Sequence, residues 1–290
     1  MIPGQFDYAR PASLDETLRI LAEREGEAKL LSGGYSLLPP LKLRLAQPPL
    51  LVDLRDVSGL DGIVETDDEL RIGARATHRQ IEEHPTIRDG YPLLVDAASG
   101  IGDPQVRNWG PIGGSVAHAD PAADWPAVLI AARASLALRS RSGERIVGAR
   151  GFFVDVFQTG IELTEVLTEV RIPRTGRGSA GAYRKLERRA GDFATVGVAA
   201  KVRLDGGRIA EAGVGITGVA PAAFAATDAE ALLAGQAPSD ELFRRAGEAA
   251  AAMSQPVADG HGPAEYKRAM TAEFTVRALR AATDRALANG

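Results

Sequence analysis

Lys29-Leu-Leu-Ser-Gly-Gly-Tyr-Ser36 is the stretch on which the fold turns. A short apolar strand, Ala28 to Leu31, runs into a glycine pair flanked by the hydroxyls of Ser32 and Ser36. Glycine after a strand lets backbone N–H groups approach a phosphate with no Cβ in the way. One such pair is more often a tight turn. A second pair, Gly113-Gly114 in Pro111-Ile-Gly-Gly-Ser115, moves the reading toward phosphate, because two loops in one domain can hold the two phosphates of a dinucleotide. Neither loop has the Gly-x-Gly-x-x-Gly spacing of a Rossmann turn or the Gly-Lys-Ser/Thr ending of a P-loop, so a different dinucleotide fold is expected.

Composition narrows the chemistry. The chain has 290 residues, a quarter of them charged and 45% hydrophobic, which suits a folded protein of two domains. A formal net charge of -4 gives no reason to expect nucleic acid. No apolar run approaches the roughly 20 residues that span a bilayer. The start, Met1-Ile-Pro-Gly-Gln-Phe-Asp7, lacks the basic and apolar regions of a signal peptide, so the expected location is the cytoplasm. There is no cysteine, hence no thiol nucleophile and no cysteine-held zinc or iron–sulfur cluster. The four histidines, His78, His84, His118 and His261, show no metal-ligand spacing, and no protein-bound metal is expected. No serine stands in a Gly-x-Ser-x-Gly context. No catalytic residue can be named on this chain, and a cofactor must supply the chemistry.

The elements follow from periodicity and punctuation. Ser13 with Glu16 reads as a capping box before a helix carrying Leu14, Leu18 and Leu21. Pro39 and Pro40 are expected to break any helix over Leu38 to Arg44. Leu50 to Leu54 and Leu70 to Ala74 read as strands, and Thr77 with Gln80 caps another helix. An apolar helix is expected from Pro121 to Ala132, then strands at Ser135 to Arg139 and Val166 to Ile172. The breaker-rich Pro173 to Ser179 segment marks a domain boundary. Beyond it, Tyr183 to Leu186, Ala194 to Leu204 and Arg208 to Thr217 form antiparallel strands, with Asp205-Gly206-Gly207 as the hairpin turn. Three helices begin near Thr227, Ser239 and Pro263, the first with a capping box of Thr227 and Glu230.

Several polar residues have two readings. Asp120 is the N-cap of a helix opened by Pro121, or a ligand-binding carboxylate. Asp124 lies in the first helical turn, where the dipole favours it, or binds the hydroxyls of a ribose or polyol. His118 caps a loop, or reaches the edge of a bound ring system or a phosphate. Arg107 neutralises phosphate or pairs with a local carboxylate such as Asp103. Tyr183-Arg-Lys-Leu-Glu-Arg-Arg189 is a solvated strand face, or sets Tyr183 against an aromatic ring system with Lys185 at its polar rim.

Five segments in order carry a resemblance: Phe6-Asp-Tyr-Ala-Arg-Pro11 with the Ser-Gly-Gly-Tyr-Ser loop; Ile101-Gly-Asp-Pro-Gln-Val-Arg-Asn108; Ile112-Gly-Gly114; His118-Ala-Asp-Pro-Ala-Ala-Asp124; and Tyr183 through Gly197. With these the chain resembles, over nearly its whole length, the FAD-binding medium subunit of the molybdenum hydroxylases, the group of carbon monoxide dehydrogenase and xanthine dehydrogenase. The resemblance implies an α+β fold. Residues 1–175 would form a two-part FAD-binding domain of the vanillyl-alcohol-oxidase (PCMH) type, with lobes 1–56 and 57–175. Residues 176–290 would form a three-stranded antiparallel sheet with a helical bundle.

Carried over position by position, the resemblance implies that Lys29, Leu30, Leu31, Ser32, Gly33, Gly34, Tyr35 and Ser36 wrap the FAD diphosphate and ribitol. Ile101 packs on the adenine. Pro111, Ile112, Gly113, Gly114 and Ser115 make the second cofactor loop, with His118 and Asp120 close by. Asp124 binds cofactor hydroxyls, Leu167 lies near the flavin, and Tyr183 and Lys185 approach the isoalloxazine. Pro111 stands where the family has threonine or serine, and Ser115 where asparagine or aspartate is common. The implied function is electron transfer: FAD accepts electrons from a small partner with two 2Fe–2S clusters, served by a large molybdopterin subunit that oxidises the substrate, in a dimer of heterotrimers. A stand-alone FAD-dependent oxidoreductase and a nucleotide-binding scaffold without redox activity are the alternatives.

Overall fold

The computed structural model describes residues 2–290. The chain begins with β1 (Asp7–Ala9), α1 (Leu14–Glu23), β2 (Ala28–Leu31), α2 (Leu38–Lys42) and β3 (Leu50–Asp53). These strands form a parallel sheet in the order β1-β3-β2. β3 is its buried centre, as its unbroken apolar run Leu50-Leu-Val requires. α1 lays Leu18 and Leu21 on Leu54, Val57 and Leu60. Its N-cap is half a capping box: Ser13 Oγ accepts from Glu16 N–H, while the Glu16 carboxylate turns to Ala12 N–H. The prolines do not break α2. They lie in its first turn, where N–H groups have no intrahelical acceptor to lose.

The middle of the chain is β4 (Ile63–Glu65), β5 (Glu69–Gly73), α3 (His78–Glu83), α4 (Pro85–Gly90), α5 (Pro92–Ser99), α6 (Pro104–Trp109), α7 (Ile112–His118), α8 (Asp124–Ala131), β6 (Ser135–Ser140), β7 (Gly143–Gly148), β8 (Phe153–Asp155), β9 (Gln158–Thr159) and β10 (Val166–Pro173). An antiparallel sheet runs β4-β5-β10-β6-β7. Thr77 and Gln80 form a full capping box on α3. α8 starts at Asp124, three residues later than its apolar pattern predicts. The Asp120 carboxylate accepts from Ala122 N–H at 2.8 Å and closes a separate turn, so Asp120 is not the helix cap. Pro126, not Pro121, occupies the first turn. Every residue of α8 is buried, the expected fate of a helix apolar on all sides.

The remainder is β11 (Ser179–Leu186), β12 (Val196–Asp205), β13 (Arg208–Thr217), β14 (Phe224–Ala225), α9 (Thr227–Leu233), α10 (Asp240–Met253) and α11 (Ala264–Ala288). Its antiparallel sheet gains a fourth strand over the three expected, the two-residue β14 at the edge. One sheet face packs on the helices α9 to α11 and the other on α5 and α8. The Thr227 capping box does not form. Ala226 is the N-cap, and the Glu230 carboxylate is drawn away to Arg150 (2.5 and 2.8 Å) and to Val214 N–H at 2.7 Å. A charge-assisted bidentate pair outcompetes a cap bond to a neutral amide.

Two carboxylates therefore tie the last sheet to the middle of the chain: Glu230 to Arg150, and Asp96 of α5, which accepts from Tyr183 N–H and from the guanidinium groups of Arg184 and Arg285.

Candidate cofactor-binding site

A cavity of about 980 Å³ opens between the turn after β2, the helices and strands of the middle of the chain and the end of β11. Its first wall is the turn after β2. Gly34 adopts φ +89°, a left-handed conformation that glycine takes without a Cβ clash. The Gly33 carbonyl accepts from Trp109 Nε1 at 2.6 Å, which fixes the turn's orientation. Among the described residues, the N–H groups of Ser32, Gly33, Gly34, Tyr35 and Ser36 meet no acceptor of the chain. Five consecutive acceptor-free backbone donors on the wall of a cavity are the raw material of an anion nest.

The second glycine pair is not a loop. It opens helix α7, because Ile112 and Val116, one turn apart, both bury in the core. Gly113 N–H bonds to Ala74 O at 2.8 Å, and a Cβ there would lie 2.5 Å from the Ala74 Cβ. Gly114 N–H has no acceptor among the described residues. The two motifs touch: a Cβ on Gly33 would stand 2.6 Å from Pro111 Cδ. Pro111 gives up an N–H donor, and its ring occupies the seam between the motifs.

Asp124 forms the far end. Its carboxylate accepts from Tyr183 Oη at 2.6 Å and from Lys185 Nζ at 3.2 Å. The Asp124 and Lys185 side chains are only 6% and 8% exposed. Lys185 also donates to Gly100 O and lies 3.3 Å from Glu187. Burial pushes the Asp124 carboxyl up against the opposing pull of Lys185, and burial with the Asp124 charge pushes the Tyr183 phenol well above its usual value. Tyr183 is thus a hydroxyl donor that holds Asp124.

Of the residues singled out from sequence, Lys29 to Ser36, Ile101, Pro111, Gly113, Gly114, Ser115, His118, Asp124, Leu167 and Lys185 line the cavity. Ile112, Asp120 and Tyr183 do not: Ile112 is core, Asp120 closes its turn, and Tyr183 stands behind Asp124. Tyr183 is buried, so its strand face is not solvated there. Arg107 pairs with Glu82 at 3.0 Å rather than with Asp103, which caps α6. The His118 ring packs on Phe157 with centroids 4.9 Å apart, and burial lowers its pKa.

Other wall residues carry no local signal in the sequence: Arg75, His78, Gln158 and Thr159; Gly102 lies in the Ile101 to Asn108 segment but was not read as a site residue. Gly191, Asp192 and Phe193, in the β11–β12 connection, lie within a segment that carries the resemblance but were not read as site residues. Phe193 is 55% exposed at the cavity.

His78 is buried, and desolvation, with the Arg107 charge adding to it, lowers its pKa from 6.5 to about 4. The unfolded chain therefore binds the extra proton between these values, and stability present above pH 6.5 is lost as pH falls toward 4. At pH 5 the ligand-free chain should be roughly 2 kcal/mol less stable on this account than at pH 8. Urea midpoints at the two pH values, for the wild type and for His78→Leu, test this: the variant should lack that part of the pH dependence.

Known proteins resemble the chain along nearly all of its length. The sequence model of the family described as "FAD binding domain in molybdopterin dehydrogenase" matches residues 4–175, and that of "CO dehydrogenase flavoprotein C-terminal domain" matches 181–282. The chain is 41% identical to the carbon monoxide dehydrogenase medium chain of Hydrogenophaga pseudoflava, covering 97% of this chain and 98% of that one. It is 37% identical to the 6-hydroxypseudooxynicotine dehydrogenase complex subunit alpha of Paenarthrobacter nicotinovorans, with 99% and 97% covered. A solved structure of carbon monoxide dehydrogenase from Hydrogenophaga pseudoflava superposes with a TM-score of 0.96 at 43% identity, covering 98% of this chain and 99% of the other. Two family models that together cover most of the chain, and a relative 41% identical over 97% of it, place it: the chain belongs to the family of FAD-binding medium subunits of the molybdenum hydroxylases.

Proposed function

We propose that this chain is the electron-transfer flavoprotein of a molybdenum-containing hydroxylase, and that FAD lies in the cavity described above. The run of acceptor-free amides from Ser32 to Ser36 is the observation that supports this reading most strongly. Those amides and Gly114 N–H take the diphosphate, with Ser36 and Ser115 hydroxyls at hand. Asp124, held by Tyr183 and Lys185, accepts from cofactor hydroxyls. Ile101 and Leu167 offer apolar contact to the two ring systems. FAD supplies the redox chemistry, and the protein binds and orients it and limits its contact with water.

Substrate oxidation is assigned to a partner, because the relatives at 41% and 37% identity are a medium chain and one subunit of a dehydrogenase complex. A small subunit with two 2Fe–2S clusters delivers electrons, a large molybdopterin subunit generates them, and an external acceptor removes them. A dimer of these heterotrimers in the cytoplasm is the proposed assembly. The proposed division is 1–56 and 57–175 for the FAD-binding lobes and 176–290 for the C-terminal domain.

Purification of the tagged chain from its native cells tests the assignment. The expected result is co-purification of two further chains, with molybdenum, iron and one FAD for each medium subunit. A chain that purifies alone, and whose flavin is bleached directly by an organic substrate, would establish the stand-alone oxidoreductase instead.

A further inference from the structure

His78 opens α3 directly after the β5 strand, with its ring only 4% exposed. Trp125 Nε1 lies 3.1 Å from His78 Nδ1. An indole nitrogen can only donate, so Nδ1 must be the acceptor, and the neutral ring carries its proton on Nε2. Nε2 makes no hydrogen bond within the described chain, yet it is not among the sealed, partnerless side-chain atoms, which are His84 Nδ1, Arg139 Nε and Thr283 Oγ1. The ring belongs to the cavity wall. Its Nε2 edge fills the place where Gly110 would carry a Cβ, 3.0 Å away, and the Gly110 Cα lies 3.3 Å from where a Cβ on Gly33 would stand, beside the Pro111 contact. A donor fixed in tautomer and left without an acceptor, in a cavity wall that also carries the acceptor-free amides of Ser32 to Ser36, asks for an oxygen from the ligand.

We infer that His78 is a third element of the diphosphate site, donating its Nε2 proton to a phosphate oxygen of the dinucleotide, with Trp125 as the residue that sets the tautomer. The inference rests on FAD occupying this cavity. Neutrality is useful here, because the ring adds a directed donor without a fixed charge, and its burial, with the Arg107 charge adding to it, keeps it uncharged when the site is open.

The test uses the full chain stripped of flavin. His78→Leu should bind FAD and ADP about tenfold more weakly, the lower range for a hydrogen bond to a charged group, while adenosine binding is unchanged. His78→Gln, which keeps an amide donor and an acceptor for Trp125, should recover part of the loss for both diphosphates. Because the leucine variant also leaves Trp125 Nε1 unpaired, ring ¹⁵N spectra of the wild type provide an independent readout. The Nε2–H signal of His78 should shift with FAD and with ADP and stay in place with adenosine. An equal loss for adenosine, or a His78 signal indifferent to ADP while FAD binds, overturns the inference and leaves the cavity assignment standing. A wild-type chain that binds no FAD overturns both.

Discussion

Gly33→Val should yield a chain that folds but takes up FAD at least about a hundredfold more weakly. The added Cβ would stand 2.6 Å from Pro111 Cδ and 3.1 Å from the Trp109 carbonyl oxygen, both on a rigid segment. Overpacking of this kind costs about 1–3 kcal/mol when the surroundings can move. Here the movement itself does the damage. Parting the seam turns the Ser32 to Ser36 amides away from their common focus, and each hydrogen bond lost to an anionic oxygen is worth about 1.5–3 kcal/mol. Two such losses exceed the 2.7 kcal/mol that a hundredfold represents. Flavin content after purification and a fluorescence titration of the stripped chain give the measurement. Gly114→Ala is the control, because its Cβ would come no closer than 3.2 Å to a neighbour, and it should lose much less. Near-wild-type affinity in the valine variant would show that the seam is not what shapes the nest.

Asp124→Ala should cost about 3 kcal/mol of stability and weaken FAD binding as well. The carboxylate satisfies the buried Tyr183 hydroxyl and neutralises a Lys185 side chain that is almost wholly enclosed. Removing one member of a buried ion pair typically costs 3–5 kcal/mol, because the remaining charge is left uncompensated. Glu187, 3.3 Å from Lys185 Nζ, still offers a counter-charge, which puts the expectation at the lower end. Asp124→Asn keeps an acceptor for Tyr183 and should fall between the wild type and the alanine variant. Denaturant midpoints at constant m-value provide the comparison. A change under about 1 kcal/mol would mean that Lys185 finds its compensation elsewhere.

Local patterns made most elements legible. The strands read at Ala194 to Leu204 and Arg208 to Thr217 match β12 and β13, the one read at Tyr183 to Leu186 is the second half of β11, the Asp205-Gly206-Gly207 turn lies between β12 and β13, and Thr77 with Gln80 capped α3 as their spacing demands. Where reading failed, a distant partner had overridden a local preference. Glu230 left its cap for Arg150, eighty positions away in the chain, because an ion pair is stronger than a cap bond. The Gly113-Gly114 pair became helical because Ile112 and Val116 had a core to enter. Pro39 and Pro40 look like breakers until the start of α2 is known.

For the site, the residue types and their order in the sequence were enough to pick out the Ser32 to Ser36 turn that lines the cavity, the second glycine pair and the family to which they belong. That much follows from chemistry carried by neighbours in the chain. Tertiary structure alone decided that Gly33 meets Pro111, that Tyr183 serves Asp124 from behind, and that His78 brings an unused proton to the wall. These are encounters between segments 47 to 78 positions apart. Their geometry is set by how the three sheets pack, and spacing along the chain carries no record of it.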